Sequence, residues 1–320
     1  LRRRFFPAFF FLCPRMKRSV IFRPAVVVAA AALLLPSACT APRNIISTGK
    51  VTPRGEFRGG GDFSFNIATE TLSKTGAALE SAAEASGSKD TIGYSKTVDN
   101  LQLAALAYTL DPLRASPDLY LRYGIYDRFD VGYKYAFGSH VFDAMFQFMG
   151  PTGTPERPQG AAGATYGSVG LQFATQRAKL PSIPYLSTIS DVFGFSASRK
   201  DLIVPLVISH SFGPEEEIGA FSYGLVYSRS FLRYGFETEK VYTPGGKVPS
   251  LPEQRVSYNS FGAFASAKVG YRYVYFLPSV GVYYQNYGTY RLLNNATGKL
   301  SGFTFVPSVG VQFRVPNSRR

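Results

Sequence analysis

In LRYGIYDRFDVGYKY, residues 121–135, bulky apolar residues occupy every second position on both sides of a short break at residues 126–128. Side chains of a β-strand point alternately to opposite faces, so Leu119, Leu121, Tyr123 and Ile125 share one face. Asp118, Tyr120, Arg122 and Gly124 take the other, and Phe129, Val131, Tyr133, Tyr135 and Phe137 rebuild the apolar face in a second strand. A three-residue loop over 126–128 sets Ile125 against Phe129, Tyr123 against Val131 and Leu121 against Tyr133, whereas a two-residue loop mixes the faces. Such a hairpin suits a soluble sandwich, with the apolar face as core, or a membrane barrel, with that face on lipid.

The same division recurs down the chain. Phe142, Ala144, Phe146 and Phe148 oppose Asp143 and Gln147, and Val169, Leu171 and Phe173 oppose Ser168, Gly170 and Gln172. In 257–274, Phe261, Ala263, Ala265 and Val269 oppose Gly262, Ser266, Lys268, Gly270 and Arg272. We read strands over 56–67, 101–110, 117–126, 129–138, 141–148, 165–177, 189–198, 202–211, 217–236, 257–274, 276–287 and 300–315, an antiparallel set of about twelve within a range of 10–14. Residues 69–86, rich in Ala, Leu and Glu, are expected as one short helix in an N-terminal insertion. Segments 150–163 and 243–254 are dense in Gly and Pro and read as loops. Beyond the N-terminal region no run reaches the roughly eighteen apolar residues of a membrane helix, so any membrane crossing here uses strands.

The polar faces carry Gly, Ser, Gln and isolated charges, while Lys and Glu, the usual solvent-side residues of a sandwich, are sparse in the strands. The net charge of +14 does not mark a nucleic-acid binder. Seven basic and no acidic residues fall in 1–39, so half of the excess sits there, and the remainder is scattered rather than gathered into a stripe.

Met16-Lys17-Arg18 and the apolar run after it have the layout of a secretory signal over 16–38. Residues 1–15 then read as an upstream extension from a reading frame begun early. Leu35-Pro36-Ser37-Ala38-Cys39 resembles the lipobox of bacterial lipoproteins, with Pro36 where Leu is usual, and this resemblance implies lipidation of Cys39. Cleavage after Ala41 is the other processing route and puts Pro42 just past the cut. The one further cysteine is Cys13, which leaves no disulfide framework, and 39–55 reads as a linker.

Near the C-terminus, Ser308, Gly310, Phe313 and Val315 in SVGVQFRV resemble the signal by which the outer-membrane assembly machinery recognises a final strand; the tail 316–320 is a departure. With this ending, residues 56–315 resemble Gram-negative outer-membrane β-barrel proteins, without matching a named porin family. The resemblance implies an all-β transmembrane barrel in the outer membrane, with outer-membrane lipids and the barrel-assembly machinery as partners. A secreted sandwich lipoprotein is the alternative. Twelve strands with both termini in the periplasm would place the 126–128 turn outside the cell.

Under the barrel reading, alternation turns Arg122, Asp130, Lys134, Asp143, Lys268, Arg272 and Arg314 toward the lumen, because Arg or Lys at mid-bilayer on the lipid face costs about 2–4 kcal/mol. Their basic excess points to a passive or substrate-binding channel for small solutes with weak anion preference. A non-conducting structural or interaction barrel, closed by side chains or by the 69–86 helix, is the second reading. A barrel hydrolase using His140 or His210 is third, since neighbouring serines do not make a triad. Glu215, Glu216 and Glu217 follow Gly213-Pro214 and are expected in a solvated turn. Gly59-Gly60-Gly61 lacks the Lys of a phosphate loop, and no catalytic residue, metal ligand or cofactor site is assigned.

Overall fold

The computed structural model describes residues 44–45, 47–87, 94–136, 138–178, 195–236, 242–243, 246–247, 251–293 and 296–317. Cys39, the signal-like segment 16–38, Phe137 and most of the tail lie outside them. Ten antiparallel strands close into one barrel: β1 (Phe57–Ala68), β2 (Arg114–Tyr126), β3 (Phe129–Ala136), β4 (Ser139–Met149), β5 (Thr165–Ala178), β6 (Phe195–Ser211), β7 (Gly219–Phe236), β10 (Leu251–Tyr271), β11 (Val274–Arg291) and β12 (Thr297–Val315). Each pairs with its sequence neighbour, and β1 closes the ring on β12, with Phe57 opposite Val315 and Ser64 opposite Ser308. The two-residue strands β8 (Tyr242–Thr243) and β9 (Gly246–Lys247) form a separate small hairpin.

The barrel has ten strands, not about twelve, and among the described residues there are two α-helices, α1 (Thr69–Gly87) and α2 (Tyr94–Leu110), not one. Residues 101–110, LQLAALAYTL, alternate like a strand, but they form the second half of α2. A short apolar run is ambiguous between the two periods, and Ala104–Leu110 is buried all round, so no polar face discloses the helical repeat. The expected break between 198 and 202 is absent because β6 runs unbroken through it, its outward Lys200 and inward Arg199 and Asp201 keeping the alternation.

Losing a strand before residue 117 reverses the sidedness of everything after it. Both barrel termini, the 127–128 and 272–273 turns and the 150–164 and 212–218 loops now share one end, which we call the terminal end. The insertion carrying α1 and α2 stands at the other, the helical end. The opening hairpin keeps the expected pairs Tyr123 with Val131 and Leu121 with Tyr133. Its turn, however, is the two residues Asp127-Arg128 closed by Tyr126 opposite Phe129, with a bulge at Ile125. The extra residue of the bulge restores the face that a plain two-residue turn would have lost.

Outward positions carry Leu121, Leu171, Leu225, Phe261, Phe276 and Phe303, all exposed, while the inward positions between them are buried and mostly polar. A sheet closed on itself leaves no unpaired edge, and it turns its apolar side chains to lipid; this is the inverse of a soluble fold. In the final strand Phe313 and Val315 face outward, Ser308 faces inward, and Gly310 passes Asp62 so closely that an added Cβ would stand 2.8 Å from the Asp62 Cβ. Leu225→Arg places a cation on the middle of the lipid face. Its unfolding free energy in liposomes, measured by urea titration, is expected to fall by about 2–4 kcal/mol.

Candidate functional site

Among the described residues, buried charged side chains converge in the lumen, which is occupied from both ends by the chain itself. From the terminal end, residues 44–56, read from sequence as linker, run inside the barrel. The amide of Asn44 donates to Asp62 and its Oδ1 accepts from Ser308 at 3.1 Å, while Lys134 Nζ donates to the Asn44 carbonyl at 2.8 Å. The Gly49 N–H donates to Ser209 Oγ (3.0 Å), the Val51 N–H to Gln147 Oε1 (3.2 Å) and the Thr52 N–H to Asp130 Oδ2 (2.7 Å). Ile45 and Val51 belong to an apolar cluster with Met145, Val207, Val226, Phe264, Tyr283 and Val306. Two glycines let the strand of backbone come this near: a Cβ on Gly49 would lie 2.4 Å from the Tyr166 carbonyl oxygen, and one on Gly124 would lie 2.1 Å from that of Pro53.

The ionic network has three knots. Arg122 bridges Asp130 at 2.5 Å and Asp143 at 2.6 Å, with Lys134 on Asp118 at 3.4 Å beside it. Arg314 holds Glu56 and Glu156, each at 2.6 Å. The third is built on the turn Pro214–Glu216, where positive φ at Glu215 (54°) and Glu216 (61°) folds both carboxylates into the barrel. Glu215 pairs with Lys50 and also accepts from the N–H groups of Gln159 and Gly160, and Glu216 pairs with Lys268 at 2.9 Å.

Of the lumen residues expected from alternation, Arg122, Asp130, Lys134, Asp143, Lys268 and Arg314 all have buried, inward side chains. Arg272 does not. It occupies the β10–β11 turn with φ 48°, its side chain is 38% exposed, and it pairs with Glu217 at 2.6 Å, because alternation ends where the strand does. The glutamate run is not a solvated turn, since Glu215 and Glu216 are 2% and 1% exposed. Sequence reading also missed Lys50, Arg58, Asp62 and Asp118. The available signal was the charge count: an inward set with a basic excess needs buried anions, and the glutamate run after Gly213-Pro214 could supply them.

From the helical end the last turns of α2 enter the barrel mouth. Ala105, Leu106 and Leu110 join a cluster with Leu232, Tyr234, Phe236, Tyr258, Tyr287, Tyr290 and Leu300. Arg199 donates to the Leu110 carbonyl at 2.6 Å, neutralising the negative end of the helix. Just past it, the buried carboxylate of Asp111 accepts from Asn66 (3.0 Å), Gln285 (2.7 Å), Tyr287 (2.8 Å) and Thr304. A space of about 370 Å³ opens at the terminal end among Pro53, Arg54, Glu56, Gly153, Glu156 and Arg157, and two spaces deeper along segment 44–56 are small. One beside Lys50 and Arg58 and another beside Asn44 and Lys134 are each about 20 Å³, room for about one water.

His140 and His210 are exposed on the outer face, His140 with Tyr133 Oη at 2.8 Å and His210 with Thr165 Oγ1 at 3.0 Å. No group of three His, Cys, Asp or Glu side chains suited to a metal occurs among the described residues.

The Arg314 guanidinium holds the Glu156 carboxyl down at about 2. Burial alone would raise the Glu215 carboxyl, but Lys50 and the two N–H groups outweigh it and lower it. A carboxyl lowered on folding stabilises above its ordinary value of 4.5 and loses that contribution as pH falls toward the folded value. Amide hydrogen exchange over residues 49–56 should therefore stay slow at neutral pH. Measured relative to the intrinsic rate at each pH, the protection of this segment should be lost progressively below about pH 4.5, before the barrel strands lose theirs.

No protein-family model matches the sequence, and neither does any curated protein. Among solved structures, Ail, the attachment invasion locus protein of Yersinia pestis, aligns over 82% of this chain and 99% of its own at 10% identity and a TM-score of 0.28. Neisserial surface protein A aligns over 81% and 99% at 8% identity and 0.29, and a major outer membrane protein of Thermus thermophilus over 82% and 100% at 8% and 0.32. Likeness at these levels carries no weight by itself. The outer-membrane location rests on the closed barrel, its even strand number and its apolar exterior.

Proposed function

We propose that this outer-membrane barrel is closed and non-conducting, and that it serves as a structural or interaction module presenting its helical end outside the cell. The supporting observation is that the two insertions reach neighbouring positions of the lumen wall. Adjacent inward positions of β11 serve both of them: Tyr283 lies in the cluster with Ile45, and Gln285 bonds Asp111. On β1 the same holds for Asp62 and Asn66, four residues apart. The spaces beside Lys50 and Arg58 and beside Asn44 and Lys134 are each about 20 Å³, and the basic side chains that would select anions are bound to carboxylates or carbonyls. Short turns of such barrels face the periplasm, which favours the terminal end as the inner one.

An anion-preferring passage requires residues 44–56 and α2 both to leave the lumen. Purified full-length protein in planar bilayers is therefore expected to add no conductance steps at neutral pH, as is Gly49→Val, which crowds only the lower insertion. Discrete steps from the intact chain, with reversal potentials shifted toward the anion, would overturn the closed reading.

Lipidation of Cys39 is a separate proposal, carried by the lipobox-like Leu35-Pro36-Ser37-Ala38 before it. Cells fed a fatty-acid analogue should label the parent and not Cys39→Ser; equal labelling of both rejects it.

A further inference from the structure

The outer wall is not uniform at the helical end. On β6, β7 and β10 the outward positions beyond the apolar band are Lys200, Arg229, Arg233 and Arg255, and the belt continues with Arg291 on β11 and Lys299 on β12. On β2, β3 and β4 the outward positions toward the same end are Pro117, Leu119, Tyr133, Tyr135 and His140. The register puts Arg233 directly opposite Arg255, and Lys200 opposite Phe231 one row closer to the membrane centre. Like charges facing each other across a ladder destabilise it unless an anion lies between them. Among the described residues the one carboxylate at ion-pair distance is Glu253, 3.7 Å from both guanidiniums. All three side chains are more than half exposed, at 54%, 73% and 56% for Arg233, Arg255 and Glu253.

These cations frame a groove of about 440 Å³ on the outside of the barrel, lined by Phe231 and Ser257 and edged by Ser198, Lys200, Arg233 and Arg255. Its size is that of a small-ligand site. The row just below it toward mid-membrane is Leu202, Arg229 and Asn259, and beyond that row the outer face turns apolar through Leu206, Leu225 and Phe261. Strands tilted as in such barrels climb about 2.5 Å per residue, so on β7, counted from Gly219 at the terminal end, Arg229 stands at the upper edge of an apolar band about 25 Å tall and Arg233 about 10 Å beyond it. The groove is thus at headgroup level of one leaflet, with acyl-chain surface beneath it.

From this we infer that the β6–β7–β10 face is a binding site for a phosphorylated glycolipid of the outer leaflet, its phosphates among Arg233, Arg255, Lys200 and Arg229 and its acyl chains along Leu206 and Leu225 below them. The inference rests on the helical end facing outward but not on whether the lumen conducts. A soluble anion could satisfy the arginines alone; only a lipid also covers the apolar face below them.

The test uses full-length protein in neutral detergent with lipid A, a diphosphorylated and acylated glucosamine disaccharide, as the probe, and native mass spectrometry as the readout. The double variant Arg233→Gln, Arg255→Gln should bind it about thirty-fold more weakly, at about 1 kcal/mol per cation near a charged surface. Lys74→Gln on α1 should bind like the parent, dephosphorylated lipid A should lose affinity as the double variant does, and millimolar inorganic phosphate should not displace the lipid. Since both arginines are outward and exposed, the double variant should keep its heat-modifiable mobility. Unchanged affinity in a folded double variant, equal binding of the dephosphorylated lipid, or displacement by inorganic phosphate overturns the inference.

Discussion

In hydrocarbon, a peptide N–H or C=O without a partner costs several kcal/mol, and this requirement governs the rest of the molecule. It demands a ring, and the ring closes when β1 meets β12. A closed ring with lipid outside sends its second set of side chains inward. Here that set includes Arg58, Asp62, Arg122, Asp130, Lys134 and Lys268, groups whose burial is tolerable only in pairs. The N-terminal segment and the Pro214–Glu216 turn supply what the walls lack: backbone donors for Asp130 and carboxylates for Lys268 and Arg58. The filled lumen is therefore a consequence of ring closure around charges and not an addition to a finished pore.

The two insertions use different chemistry. Segment 44–56 is held mainly by directional polar bonds and ion pairs, and α2 by contact between small helix side chains and a collar of tyrosines. Breaking one partner of a buried ion pair typically costs about 3–5 kcal/mol because the other charge is stranded, whereas trimming an aliphatic side chain costs about 2–5 kcal/mol through the cavity it leaves. The seat of segment 44–56 is consequently tied to the ionisation of Glu215, whose carboxyl Lys50 helps to hold below its ordinary range. Asp111 ends the upper insertion, a carboxylate beneath an apolar collar, kept in place by four donors from β1, β11 and β12.

Most of the wall was legible from period two. The pairs Tyr123 with Val131 and Leu121 with Tyr133 follow from matching apolar faces, and so does the inward set apart from Arg272. What was not legible lies where period two stops being informative. LQLAALAYTL satisfies both strand and helix spacing, and only its surroundings, a collar of tyrosines some 125 to 190 residues later in the chain, decide for helix. Segment 44–56 has no periodicity; its lumenal place depends on side chains from β3, β4, β6 and β12, which no local pattern encodes. Glu215 and Glu216 were misplaced because a left-handed turn at two non-glycine residues is rare, and here the buried lysines sustain it.

Segment 44–56 continues without a break into β1, the strand that completes the ring. Its partners Ser209, Glu215 and Ser308 lie 160 or more positions away in sequence, so its seat does not exist until nearly the whole sheet has formed. Contacts of such separation are slow to form, and here they share one timing with the β1–β12 seam. Order of assembly is thus written into the chain: the strand that seals the barrel carries its own stopper, and a sealed ring with an empty lower lumen is not a stage through which this topology needs to pass.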